Sequence, residues 1–553
     1  MKDNSTKNNF IVQAGILAAA GIISRIIGLL YRSPLQRVIG DLGQGYYHAA
    51  YSFYTIILLI SSYSIPAAIS KVIAQKLALR EYRNAHRIFQ CALGYVLAVG
   101  GAASLLLFFG AGFFVAPEAV PVLRTFAPTI FIYGILGVLR GYFQAHKSMS
   151  QTSVSQILEQ IANAVVSVGA AWLMIRQVYG SLEMPAGEAE QMDRAVRGAV
   201  GGALGTGAGV LVALLFMLGV YQLNKGLIGR RIRLDRHEQT DSYGEILKMI
   251  TRVVTPFILS TAIYNLSSTV NTSIYTKLLP AVRDLGTMDI SSRWGVFAGQ
   301  VLTISEIPIA FASAMAAAMI PTVSQLVAAR KMEEAKRKIN LAVKTTMLIS
   351  IPCAVGLFVL ARPVTGLLFK NTQEVEDLAT KLLMTMAVSV IFYALSTLSN
   401  QILQGLGRLN VPIVNAGIAL VIQTVVAVTL LFFTKLDLYG IAIARTVYSA
   451  VICILNQRAV RKAAGYRQEI THTFAVPLLA SFFMGCVVWG AYELLLFLTK
   501  SPRIAVLPAI LIGAGVYFVL LLVFRGVTEE ELKSFPKGYL LARAAKKCGL
   551  LKH

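Results

Sequence analysis

The chain has 553 residues, of which 56% are hydrophobic and only 14% charged, and its mean hydropathy is +0.65. This composition excludes a soluble globular protein of this length and indicates an integral membrane protein. Lys and Arg outnumber Asp and Glu by 51 to 27, and because no segment could form a folded basic domain, the surplus indicates membrane orientation rather than nucleic-acid binding.

Runs of about 20 mainly apolar residues, the length that crosses a hydrocarbon core of ~30 Å, predict fourteen transmembrane helices. The first run continues past Arg25 without a convincing cleavage site, so we interpret it as a retained helix rather than a signal peptide. The predicted spans are 10–32, 46–69, 88–110, 120–142, 152–175, 196–222, 251–276, 295–321, 341–361, 379–402, 411–433, 437–457, 473–497 and 504–525.

The connecting loops support this count because their charge alternates. The loops after the second, sixth, eighth and twelfth spans are rich in Lys and Arg, as in "NKGLIGRRIRLDRHEQ" and "ARKMEEAKRKINLAVK". The opposite loops are balanced or acidic, as in "SLEMPAGEAEQMDR" and "NTQEVEDLATK". Since cytoplasmic loops carry the basic excess, both termini are predicted to be cytoplasmic in a multi-pass protein of the cell membrane.

Two pairs of similar segments indicate an internal duplication. "SIPAAISKVIAQK" (64–76) is similar to "MIPTVSQLVAARK" (319–331), and "FQAHKSMSQTSV" (143–154) is similar to "LQGLGRLNVPIV" (403–414). Chance similarity is the alternative explanation. A duplicated unit with an even number of spans gives both copies the same orientation. The predicted fold is therefore an all-α integral membrane protein with two six-helix lobes in a parallel pseudo-twofold repeat, plus two C-terminal helices.

The predicted boundaries follow from this duplication. They are an N-lobe over 1–222, a basic cytoplasmic connector over 223–248, a C-lobe over 249–457, spans 13 and 14 within 458–525, and a cytoplasmic tail over 526–553. Parallel-repeat transporters bind substrate between their lobes and work by alternating access. The basic amphipathic tail is predicted to lie on anionic phospholipids of the inner leaflet, or to be a solvated end.

Charged residues inside the predicted spans are candidates for function, because a charge in lipid is costly and should face protein or a water-filled cavity. In the first span, Arg25 and Arg32 share one helical face with Gly21 and Gly28. Arg25 lies roughly 20 Å from the cytoplasmic end of the span and Arg32 at its outer rim. The five ionisable residues well within spans are Arg25, Glu159, Glu306, Arg445 and Glu493.

The two arginines could hold an anion, because a guanidinium offers fork-shaped donors suited to phosphate oxygens. The alternatives are that Arg32 snorkels to the outer headgroups and that Arg25 forms an ion pair with Glu306 or Glu159. We expect no catalytic residues.

Glu306 is predicted to lie near mid-bilayer, beside Pro308, which would loosen the helix there. It could be a proton or cation site, or a counter-ion for Arg25. Glu159 and Arg445 are interpreted as structural partners or as cavity groups, and Thr303 and Asn271 are further cavity candidates.

Two other patterns concern packing and redox chemistry. The sixth span, "GAVGGALGTGAGVLVALL", has small residues spaced to let helices approach closely. The five cysteines have no paired or metal-like spacing, so no disulfide framework, metal site or cofactor is expected.

Several stretches resemble a known family: "SRIIGLLYR", "SIPAAISK", "LRGYFQAHKSMSQTSVSQILEQIANAV" (139–165), "SEIPIAFASAMAAAMIP" (305–321) and "VTEEELKSFPKG" (527–538). The chain resembles, over nearly its whole length, the lipid-linked oligosaccharide flippases of the multidrug and polysaccharide exporter superfamily. Within it, the chain is most similar to the Gram-positive lipid II flippase and stage V sporulation protein B group.

This resemblance implies a non-enzymatic flippase that moves an undecaprenyl-pyrophosphate-linked sugar, lipid II, to the outer leaflet for cell-wall synthesis. Arg25 and Arg32 match family arginines thought to meet the pyrophosphate, and Glu306 matches the acidic residue of the eighth span. The chain departs from well-studied relatives at Thr303, where they carry an arginine, and it has no arginine inside the second span.

Other classes remain open at this point. A cation-coupled multidrug exporter would need acidic groups where the first span has cations. An exporter of another lipid-linked polysaccharide unit is a second alternative. A membrane glycosyltransferase would need an acidic metal-binding pair in an outer loop, and 176–195 offers only scattered acids, Glu183, Glu188, Glu190 and Asp193. Sodium, protons and membrane potential all remain candidates for the driving force.

Overall fold

A computed structural model describes residues 20–527, apart from 22, 25, 29, 64, 147, 183–184, 234, 236–240, 283–285, 329 and 409. Every secondary-structure element among the described residues is a helix. Ten of their helices are long and apolar enough to cross a membrane, which confirms the predicted all-α membrane architecture. The other four predicted spans fall on helices outside this set and partly on residues that are not described, so the count of fourteen stays a prediction.

The chain forms two compact units, Met1–Gly299 and Gln300–His553. The sequence instead predicts a lobe boundary within 223–248, and the repeat assignment stays a prediction. The helices of the N-terminal unit are α1 (Arg32–Leu58), α2 (Ile65–Ala78), α3 (Tyr82–Phe109), α4 (Val120–Ala145), α5 (Met149–Tyr179), α6 (Glu188–Arg233), α7 (Tyr243–Ser273) and α8 (Thr287–Gly295). Those of the C-terminal unit are α9 (Leu302–Ala328), α10 (Met332–Val359), α11 (Ala361–Leu368), α12 (Gln373–Gly405), α13 (Asn410–Phe433), α14 (Leu438–Ala464), α15 (Val476–Thr499) and α16 (Pro502–Val523).

The junction between the first two predicted spans is a single glycine. The described residues from Ala20 to Leu30 are helical, Tyr31 forms a turn, and α1 is interrupted at Gly40, whose φ of 72° and ψ of 177° suit a residue without Cβ. The buried Arg194 side chain donates to the carbonyl of Val38 at 3.1 Å, satisfying a helix-end acceptor. The chain between the predicted spans 10–32 and 46–69 is therefore helical, because the helix continues almost to Gly40 and resumes directly after it.

The predicted connector 223–248 is partly helical, because α6 runs for 46 residues and ends only at Arg233. After it, the carboxylate of Asp241 lies 2.6 Å from the Lys76 amine, which also lies 2.8 Å from Glu81. Although burial opposes it, hydrogen bonding to Asp241 and Glu81 raises the pKa of Lys76. Helix α7 then begins with a Ser242 capping box, so ion pairing and capping together fix the connector's exit.

Glycines along α6 allow it to pack closely against α5. A Cβ at Gly201 would overlap the backbone of Ala171, and one at Gly205 would overlap Ser167. A Cβ at Gly209 would lie 2.5 Å from the carbonyl oxygen of Glu159. The predicted role of the small residues of the sixth span in helix packing is confirmed, and this packing holds α5 close against α6.

In the part of the chain that the structure describes, four π-helical turns adjoin the long helices, at Leu59–Tyr63, Ile274–Leu278, Val296–Val301 and Thr471–Ala475. The turn at Val296–Val301 directly precedes α9, which carries Pro308 as part of a continuous α-helix. The irregular backbone therefore lies before Pro308 and not at it. Such turns insert an extra residue and frequently occur at functional sites.

Candidate functional site

A polar cavity of about 240 Å³ lies inside the N-terminal unit. Its walls come from the residues before and within α1 and from α4, α5 and α6. The volume is far above the roughly 10–15 Å³ that one water needs, and the polar lining favours hydration. The lining side chains that can hydrogen-bond are Tyr31, Arg32, Gln44, Tyr47, His48, Tyr51, Tyr54, Tyr133, Glu159, Gln160, Asn163 and Thr206.

Arg32 lines this cavity from the first turn of α1. The sequence places it at the outer rim of the first span, where it could snorkel to headgroups. The helix continues for about two further turns beyond Arg32 before it breaks at Gly40, and the position of Arg32 at the rim of the span stays a prediction. Its guanidinium is partly buried, so an anion in the cavity would meet it in a medium where charge interactions are stronger than in bulk water.

Glu159 also lines the cavity, and its charge is already compensated. The Arg140 guanidinium donates from Nη2 to Glu159 Oε2 at 2.7 Å and from Nε to the Ser155 hydroxyl at 2.9 Å. The two charged side chains are only 6% and 16% exposed. The sequence offers Arg25 as one partner for Glu159; the structure pairs Glu159 with Arg140, and Arg25 lies outside the described residues.

Tyrosines form one wall of the cavity. Tyr47, Tyr51 and Tyr54 recur at intervals of four and three along α1, which places them on one helical face. The rings of Tyr47 and Tyr51 stack at 5.8 Å between centroids, and the ring of Tyr54 stacks at 4.8 Å on Phe126. Buried aromatic packing holds the rings, and the phenol groups supply hydrogen-bonding capacity to the cavity.

Residues of α5 and α6 hold the Asn163 side chain in place at the cavity wall. The amide nitrogen of Asn163 lies 3.4 Å from the Tyr31 hydroxyl and can donate to it. The Ser167 hydroxyl lies 2.9 Å both from the Asn163 side-chain oxygen and from the Gly202 carbonyl. The glycines of α6 allow α5 to come close enough for these hydrogen bonds. They therefore help to position Asn163 in the cavity as well as to pack the two helices.

The remaining sequence candidates lie elsewhere. Asn271 is buried on α7 of the same unit but does not line the cavity. On α9 of the C-terminal unit, Thr303 is buried and Glu306 is exposed. Arg445, on α14, stacks over the Tyr393 ring at 5.0 Å, and its Nε is buried without a hydrogen-bond partner among the described residues.

The cavity is suited chemically to a group rich in oxygen. Arg32 supplies a cation, and Glu159, the one carboxylate among the described lining residues, is paired with Arg140. Phenol, amide and hydroxyl groups can donate to or accept from hydroxyls of a bound molecule. This arrangement favours an anion with polar attachments over an organic cation.

Sequence reasoning missed the tyrosines, His48, Gln160, Asn163 and Arg140. A signal existed for some of them. The spacing of Tyr47, Tyr51 and Tyr54 and the i, i+4 pair Ser155 and Glu159 each define one helical face. Arg140 lies two residues before the predicted end of the fourth span, where a solvated arginine is the ordinary interpretation.

The fold is similar to that of transporters of the MOP superfamily. An inward-facing multidrug resistance MATE family transporter of that superfamily aligns with a TM-score of 0.62 at 18% identity, covering 82% of this chain and 98% of that one. The inward closed structure of a lipid II flippase MurJ also aligns with a TM-score of 0.62, at 15% identity, covering 92% and 98%.

Sequence comparison identifies the family. The family model described as lipid II flippase MurJ matches residues 88–507, so the chain belongs to that family. The chain is 24% identical over 524 residues to the lipid II flippase MurJ of Bacillus subtilis (strain 168), covering 91% of this chain and 93% of the relative. It is also 24% identical over 543 residues to stage V sporulation protein B of the same organism, covering 96% and 98%. The resemblance predicted from the sequence is confirmed.

Proposed function

We propose that this protein is a flippase that moves a lipid-linked cell-wall precursor, an undecaprenyl-diphosphate-linked sugar of the lipid II type, from the inner to the outer leaflet. Membership of the lipid II flippase MurJ family supports this function. The observation that carries it within the molecule is the cavity in which Arg32 is the cation and Glu159 is already neutralised. An uncompensated carboxylate would repel a diphosphate, whereas a guanidinium binds its oxygens in pairs.

In this proposal the diphosphate binds Arg32, and Arg25, seven residues earlier in the sequence, contributes a second guanidinium. A cavity of about 240 Å³ is too small for a complete sugar–peptide head, so it receives the charged part and adjoining hydroxyls. The lipid tail stays in the bilayer, because transferring its apolar surface to water would be costly. Glu306, Thr303, Asn271 and Arg445 remain candidates for coupling or for contacts with the head, and the coupling ion is open.

The orientation and the tail belong to the same proposal. The alternation of basic loops favours cytoplasmic termini, and a basic tail over 526–553 favours contact with anionic phospholipids. All but the first two residues of the tail lie outside the described residues. We propose alternating access as the transport cycle and expect no covalent chemistry on the substrate.

The test is replacement of Arg32 in a strain depleted of its own lipid II flippase. Arg32→Ala should abolish growth, and Arg32→Lys should restore it only in part, because an ammonium lacks the guanidinium's planar fork. The matched control is Arg37→Ala, since Arg37 is exposed on the same helix and does not line the cavity. Each variant's expression and melting temperature are measured in detergent.

Transport is measured separately by reconstituting the protein with fluorescent lipid II and following its arrival in the outer leaflet. If folded Arg32→Ala transports normally, the docking role is wrong. If the unmodified protein neither rescues the depleted strain nor moves lipid II, the proposed substrate is wrong. Accumulation of another undecaprenyl-linked precursor after depletion would identify that molecule as the substrate instead.

A further inference from the structure

A second cavity, of about 700 Å³, lies in the C-terminal unit. Its walls are the end of α10, helix α11, the first turn of α12, the end of α15 and the start of α16. The volume falls within the ~300–1,000 Å³ typical of ligand pockets. No residue that lines this cavity also lines the proposed diphosphate site.

The charges of this cavity are of both signs, and only some are paired. The Arg362 guanidinium lies 3.4 Å from Glu376 and 3.2 Å from Asp377, so its charge is compensated. Lys500, Arg503 and Glu493 also line the cavity, and none forms an ion pair with another described residue. Two cations and one carboxylate are therefore unpaired at this site, beside the Arg362 group, in which one cation is shared by two carboxylates.

Aromatic rings accompany these charges. Trp489 and Tyr492 line the cavity from the last turns of α15, and Trp489 is 61% exposed. Trp, Tyr, Lys and Arg together at the ends of spans are typical of the membrane–water interface. An aromatic face also attracts an ammonium group, so the rings and Glu493 provide one region that favours a cation.

Apolar surface continues from the cavity along α15 and α16. Leu494 is 61% exposed, Phe497 79%, Ile504 61% and Leu507 58%. Such exposure on a span is suited to acyl chains rather than to water. A molecule with a charged head in the cavity and an apolar body could therefore lie along these helices.

We propose that this cavity binds the headgroup of a zwitterionic phospholipid that carries a primary ammonium, such as phosphatidylethanolamine. The phosphate lies against Lys500 and Arg503, the ammonium lies against Glu493 and the Trp489 ring, and the acyl chains follow α15 and α16. The two available cations and one available carboxylate match one phosphate and one ammonium. On the predicted orientation, the site faces the outer leaflet.

The test is lipid retention by the full-length protein, measured by native mass spectrometry. The protein is purified from mixed bilayers that contain equal amounts of phosphatidylethanolamine, phosphatidylglycerol and phosphatidylcholine. We expect retained phosphatidylethanolamine to exceed both other lipids, because methylation removes the ammonium's hydrogen-bond donors and phosphatidylglycerol has no cation. The double substitution Lys500→Gln and Arg503→Gln should reduce retention about tenfold, as expected for losing charge-assisted hydrogen bonds.

Two further variants make the test specific. Glu493→Gln should remove the preference for phosphatidylethanolamine over phosphatidylglycerol while leaving phosphate binding in place. Lys435→Gln is the matched control, because Lys435 is an exposed lysine of the same unit that does not line the cavity. Melting temperatures show that the variants are folded.

Equal retention of all three lipids, or a preference that the double substitution leaves unchanged, would overturn the proposal. Stronger retention of undecaprenyl diphosphate than of phosphatidylethanolamine through the same residues would also overturn it, and would identify a product site instead. Because retention is measured without transport, its outcome is independent of whether the protein flips lipid II.

Discussion

Arg140 on α4 and Glu159 on α5 form a buried ion pair at the edge of the N-terminal cavity, with 2.7 Å between guanidinium nitrogen and carboxylate oxygen. The Ser155 hydroxyl, one turn before Glu159, accepts a second hydrogen bond from the same guanidinium. The pair therefore joins two helices and neutralises the Glu159 carboxylate, whose charge would otherwise oppose an anion in the cavity. Its role is electrostatic as well as structural.

Arg140→Ala should lower the free energy of unfolding by about 3–5 kcal/mol, because it leaves the Glu159 carboxylate buried without a counter-charge. Glu159→Gln should cost less, about 1–3 kcal/mol, since the amide oxygen can still accept from Arg140. The measurement is SDS-induced unfolding in mixed micelles. Arg37→Ala, at an exposed arginine on α1, should change stability by no more than about 0.5 kcal/mol. Equal losses for Arg140→Ala and Arg37→Ala would contradict the importance of the pair.

Gly205→Ala should destabilise the N-terminal unit by about 1–3 kcal/mol, because the added methyl group overlaps Ser167 on α5. It should also reduce transport, since α5 carries Glu159 and Asn163 into the cavity. Gly219→Ala is a matched control on α6, where no atom lies within 4 Å of the new Cβ. The same unfolding assay applies, and an unchanged Gly205→Ala variant would show that α5 and α6 can separate without cost.

Asp241→Asn should loosen the start of α7. It removes the charge that faces Lys76 at 2.6 Å, although the backbone of Asp241 still donates to Asn84 and accepts from Arg87. The loss should be about 0.5–1 kcal/mol for this partly exposed pair, or a two- to fivefold rise in amide exchange over residues 241–246. Glu334→Gln, which breaks the exposed pair with Lys331, serves as the control. No change in exchange would mean that the capping box alone holds the helix.

Acidification should destabilise the end of α4 through His146. Burial lowers the pKa of His146, and a nearby Arg231 lowers it further, against the opposing hydrogen bond to the Tyr142 carbonyl. The folded state therefore holds His146 neutral, and its contribution to stability, complete above about pH 6.5, is lost as the pH falls towards the lowered value. The melting temperature should drop less between about pH 7.5 and 5.5 in His146→Gln than in the unmodified protein. An identical drop in both proteins would rule out this histidine as the cause.

Much of the architecture follows from the sequence because it rests on long apolar runs and alternating loop charges. Helix ends were less predictable. At Gly40 one helix ends and the next begins, and Arg194, distant in sequence, donates to the carbonyl of Val38 just before the break. The end of α6 was also missed, since the residues after the predicted span are basic yet continue the helix to Arg233.

The candidate site was predicted in part. Membrane depth identified Glu159, the helical face shared with Arg25 identified Arg32, and both residues line the cavity. The partner Arg140 could not be chosen from the sequence, because several cations lie at comparable predicted depths and only packing decides among them. Glu306 and Arg445 satisfied the same criterion and lie in the C-terminal unit. The predicted depth in the membrane therefore identifies candidate residues. Which of them come into contact depends on the direction in which each helix turns its side chains.

The break at Gly40 leaves a single peptide unit between the helix that carries Arg32 and the helix that carries the tyrosines. Because no loop separates the two helices, a rotation of the first helix when the anion binds would be transmitted directly to the second. Binding at the guanidinium would thus be coupled to the tyrosines of the cavity wall through the backbone of Gly40.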